Sequence, residues 1–201
     1  MDTSVVDSKT VELLSQITGQ PLQPQDVTPL QVFLAVLVSV LRGVIVIDKN
    51  IAIEEEQRFQ KTLGSIIRSN QQVQELTQLI LTGVETHQTY LNPGNLITLS
   101  SPLSDAEKLL ILCFGYQMSA ADNDIDFREQ MYLQSTANRL GILPRHWSVI
   151  NYQFTGQGVL EQDAWQEVQV LLDPVWFESL VPVFTEITRT MLSDIATRFR
   201  Q

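Results

Sequence analysis

The chain has 201 residues, 44% of them hydrophobic, with nine Gly and eight Pro, enough apolar side chains for a proper core and too many for a disordered protein. Thirteen Lys and Arg against 23 Asp and Glu give a formal charge of −10, which repels phosphate backbones and excludes nucleic acid as the main partner. Cations and the basic groups of a protein partner are its natural complements.

Met1-Asp2-Thr3-Ser4 lacks the basic start and apolar stretch of a secretory signal, so export is not expected. Apolar positions recur at three- and four-residue spacing, and no segment combines strict alternation with hairpin signals, so the predicted fold is all-α. A first amphipathic helix over residues 8–17 ends at Gly19, and Pro21 and Pro24 mark a connector. A second helix, with Thr28 as N-cap and Pro29 in its first position, runs to Ile47. Its apolar run is interrupted by Ser39 and Arg42 and falls short of the roughly 20 residues of a spanning helix; it is expected to be a buried central helix, and no transmembrane segment is expected.

Residues 53–69 form a third pattern, with Ile53, Phe59, Leu63, Ile66 and Ile67 facing inward, and a fourth covers 71–87. Asn92-Pro93-Gly94 marks residues 90–102 as a loop. Ser104 and Glu107 then supply a capping box for a helix reaching Ala121. Another covers 127–140 and stops at Gly141, and Pro144 starts a further one of about two turns. Gly156 and Gly158 form a turn rather than a phosphate loop, residues 160–172 read as helical until Asp173-Pro174, and a last amphipathic pattern carries Leu180, Val183, Phe184, Ile187, Met191 and Ile195. The expected organisation is an N-terminal helix and connector (1–27), a helical domain (28–154) and a helical C-terminal extension (155–201).

The chain repeats itself at an offset of 74. Leu37 pairs with Ile111, Val38 with Leu112, Val40 with Phe114, Asp48 with Asp122, Ile51 with Ile125, Glu55 with Glu129 and Ile66 with Leu140; Thr28-Pro29-Leu30 and Ser101-Pro102-Leu103 provide loosely matching entries. The economical architecture is a bundle of two helical hairpins related by a pseudo-twofold axis.

Asp48 and Asp122 each close an apolar helix, where the carbonyl end disfavours a carboxylate by a few tenths to about 1 kcal/mol. Two compensations are open: capping of the following turn, or joining Glu55 or Glu129 around a hard cation held by oxygen ligands. In the second bend Asp122, Asn123, Asp124, Asp126 and Glu129 place five oxygen-bearing side chains within eight residues. That donor set favours Ca²⁺ or Mg²⁺. An EF-hand is rejected, because Phe127 stands where the turn glycine belongs and Glu129 comes at position eight rather than twelve. The candidate metal ligands are therefore Asp48, Glu55, Asp122, Asp124, Asp126 and Glu129.

Asp48-x-x-Ile51-x-x-x-Glu55 and Asp122-x-x-Ile125-x-x-x-Glu129, each between an apolar and an amphipathic helix, resemble the TerB-like family of tellurite-resistance proteins over residues 29–143. The resemblance implies an all-helical duplicated hairpin and a non-enzymatic role in stress response. It further implies acidic positions that chelate metal and partners at the inner face of the membrane. Only Asp48, Glu55, Asp122 and Glu129 carry over; Val46-Ile47 replaces the small residue found at Ala121, and Lys49 and Asn123 stand where the family often has glycine.

Other chemistry has little support. Cys113, the single cysteine, excludes a disulfide framework or Cys-rich zinc site, fits a reducing cytoplasm and reads as a small core residue. His87 and His146 form no ligand-spaced pair and are expected at helix ends or on the surface. Trp147, Trp165, Trp176 and Phe177 read as core rather than as a docking surface. The expectation is a cytoplasmic non-enzymatic module that binds a divalent cation or a basic partner through its bends. The alternative is a structural adaptor whose loops are caps and whose working surface is an apolar groove or the C-terminal amphipathic helix.

Overall fold

In a computed structural model of the chain, residues 6–47, 56–57, 59–61, 63–64, 71–120, 125 and 127–180 are described, and all regular structure among them is helical. Helix α1 (Ser8–Thr18) opens at Asp7, whose carboxylate accepts from Thr10 N at 2.8 Å, and closes at Gly19 in the left-handed region at φ 67°. A 3₁₀ turn (Pro24–Asp26) leads into α2 (Pro29–Val46). Here the expected cap is a full capping box: Thr28 N donates to Gln31 Oε1 at 2.7 Å, and Gln31 N donates to Thr28 Oγ1 at 3.2 Å.

Every residue of α2 from Val32 to Leu41 is buried, so this helix has core on all sides rather than along one stripe. Its polar interior residue, Ser39, donates to Ala35 O at 2.7 Å and shares a hydrogen bond with Thr89 Oγ1 at 2.9 Å. By length and composition α2 could cross a membrane, with mean hydropathy 2.2 over 18 residues, but 72% of that stretch is buried against the rest of the chain. Within the predicted third helix the described residues of 56–64 are helical, and Phe59 and Leu63 are buried as expected; Ile53, Ile66 and Ile67 lie outside the described residues.

Helix α3 (Gln71–His87) packs on α1 and α2. Gly83 permits the closest approach, since a Cβ there would overlap the carbonyl oxygen of Ile17. The segment 90–102, expected to be a loop, holds instead a 3₁₀ turn (Thr89–Leu91) and α4 (Pro93–Ser100). Asn92 and Pro93 are a helix entry rather than a turn: Asn92 Oδ1 accepts from Gly94 N at 2.9 Å, Pro93 occupies N1, and Leu96 and Leu99 are buried.

Helix α5 (Asp105–Ser119) starts at the predicted box, Ser104 N donating to Glu107 Oε2 at 2.8 Å. Ser101 and Pro102 lie in the turn before this cap, and α2 and α5 both open with a complete capping box. Helix α6 (Phe127–Leu140) is followed by α7 (Pro144–Thr155), which at 12 residues is longer than the two turns expected because nothing stops it before Gly156, at φ 69°. Helix α8 (Gln162–Leu171) and a 3₁₀ stretch (Pro174–Leu180) complete the described chain. The rest of the C-terminal amphipathic pattern, including Val183, Phe184, Ile187, Met191 and Ile195, lies outside it.

Around α2 are α3, α4, α5 and α6; α1 covers α3 and α4, while α7 and α8 pair and rest on α5. One hydrophobic cluster runs from Leu14 and Ile17 through α2 and α5 to Ala164, Val168, Leu172, Phe177 and Leu180. At roughly 25 cal/mol per Å² of apolar surface removed from water, this shared burial is the main force holding the helices together.

Candidate functional site

Of the six candidate ligands, Glu129 is described: it lies in the first turn of α6 and is only 6% exposed. Asp48, Glu55, Asp122, Asp124 and Asp126 lie outside the described residues. Among the described residues no group of three or more His, Cys, Asp or Glu is placed to hold a metal. Ile125, the isoleucine of the second motif, is half-buried against the core.

Helix α6, which follows the second bend, packs on both α2 and α5. Tyr132, three residues beyond Glu129, lays its ring over Gly43 and donates from its hydroxyl to Val40 O at 3.4 Å. A Cβ at Gly43 would overlap the phenol oxygen, so glycine is required there by close approach. The next residue, Leu133, faces Gly115, whose Cβ position is also 3.5 Å from Val40 Cγ1. Burial pushes the Tyr132 phenol up to about 12, so it stays protonated and serves as a donor.

Beside this contact is the best-defined ionic cluster. Arg42, the single charge in α2, reaches Glu56 Oε2 at 2.6 Å and Glu85 Oε1 at 2.7 Å, with its guanidinium carbon 5.3 Å from the Phe59 ring centroid. Burial opposes ionisation of Glu56, but hydrogen bonds from Gln60 and Arg42 and the guanidinium charge outweigh it and leave the carboxyl below its ordinary value. In the sequence Arg42 was readable only as an interruption of an apolar run. A lone guanidinium entering a core demands acidic partners, but spacing does not say that they come from Glu56 and Glu85.

A second polar system joins α5, α6 and α7. Trp147 Nε1 donates to Tyr116 Oη at 3.0 Å; Tyr116 Oη and Gln130 Nε2 donate to Asn151 Oδ1 at 3.1 and 3.0 Å; and Asn151 Nδ2 donates to Gln157 O at 3.2 Å. The Tyr116 ring stacks on Phe154 at 5.3 Å. This arrangement fixes α5, α6 and α7 to one another.

His146 lies in the first turn of α7, a helix end as expected, but is buried rather than exposed: its Nε2 shares a hydrogen bond with Glu167 Oε2 at 2.7 Å, and Arg145 reaches the same oxygen at 2.9 Å. The pair latches α7 to α8. His87 lies in the last turn of α3, as expected for a helix-end residue, and is exposed. Cys113 is fully buried and its thiol is pushed up to about 12 by desolvation, which suits a core residue and not a nucleophile. Phe177 is buried and Trp147 and Trp165 are partly buried against the core, whereas Trp176 is 57% exposed, contrary to its reading as core.

No protein-family model matches the chain, and no curated protein or solved structure shows significant similarity to it.

Proposed function

We propose that the chain is a non-enzymatic, TerB-like stress-response module in which two helical hairpins bring their acidic bends together to hold a divalent cation, with Ca²⁺ and Mg²⁺ the best fits. The carrying observation is the buried Glu129 carboxylate, one turn before the Tyr132 contact with Gly43 and Val40. Gly43 itself is five residues from Asp48, so a single interhelix contact lies within two helical turns of both motifs.

Asp48 and Glu55 from one bend and Asp122, Asp124, Asp126 and Glu129 from the other would hold the ion, the second set contributing more because Lys49 sits beside Asp48. Carboxylate oxygens suit a hard cation, which would supply charge neutralisation and pin the bends. A protein partner at the cytoplasmic face of the membrane would read that pinned state.

Melting the protein in Ca²⁺, Mg²⁺, Mn²⁺ or Zn²⁺ tests this reading. At 100-fold excess over its dissociation constant an ion adds about 2.7 kcal/mol, or several degrees in a chain of this size. Asp122→Asn combined with Glu129→Gln is expected to retain its helical circular dichroism and lose that rise. No shift with any ion would favour the adaptor reading, with an apolar groove or the C-terminal segment, which begins at the exposed Val175 and Trp176, as its working surface.

A further inference from the structure

No further inference is drawn: the strongest candidate, the open groove of about 530 Å³ between the last turn of α1 and α3, lined by Ile17, Glu75, Leu79, Gly83 and His87 among others, carries nothing because nothing in the structure shows what covers it.

Discussion

Gly43 and Arg42 are adjacent in α2 and do opposite work: one removes a side chain so that Tyr132 can close on the helix, the other inserts a charge that two carboxylates must answer. Gly43→Ala should cost about 1–3 kcal/mol through overpacking, although alanine is the better helix former. Tyr132→Phe alone should cost less than about 1 kcal/mol, because the hydrogen bond it loses is long. Urea unfolding of both single variants and the double variant checks this: removal of the hydroxyl should make Gly43→Ala milder, and strict additivity would contradict the contact. Arg42 governs a pH effect. Because the folded Glu56 carboxyl lies below its unfolded value, near 4.3, its contribution to stability is present above that value and is lost as pH falls through the folded one. In Arg42→Met the acid-side fall in stability, followed by urea midpoint between pH 5 and 3, should be shallower than in the parent chain.

Helix entries are settled locally, and that is why they could be read from spacing. Thr28 with Gln31 and Ser104 with Glu107 are complete capping boxes, and Ser104→Ala should cost about 1 kcal/mol in a urea titration while leaving the slope unchanged. The same locality explains the misreading of residues 90–102. Asn-Pro-Gly is a turn signal and also an N-cap followed by N1, and α4 has only eight residues, too few for periodicity to decide between them. What joins the elements was largely hidden. Arg42 to Glu85 spans 43 positions and His146 to Glu167 spans 21, and neither pairing follows from helical spacing. The apolar residues of the repeat were easier: Leu37, Val38 and Val40 of α2 and Ile111, Leu112 and Phe114 of α5 are all buried, on two helices that pack directly against each other. The acids of the bends were visible as composition; of them Glu129 is described, and its burial in the first turn of α6 is a tertiary fact that spacing does not give.

For the molecule as a whole, α2 explains how an 18-residue helix of mean hydropathy 2.2 serves a globular bundle: it is wrapped by its own neighbours, and its arginine is neutralised within the fold. The formal charge of −10 is the chain's remaining electrostatic asymmetry, and the proposed cation site draws on it. The most direct test of the proposed cation site is anomalous scattering from crystals grown with Ca²⁺, or with Mn²⁺ as a stronger scatterer in its place. A peak is expected at the second bend, at bonding distance from carboxylate oxygens of Asp122 and Glu129, about 2.3–2.6 Å for Ca²⁺. A well-ordered second bend without such a peak, its carboxylates capping backbone amides instead, would contradict it.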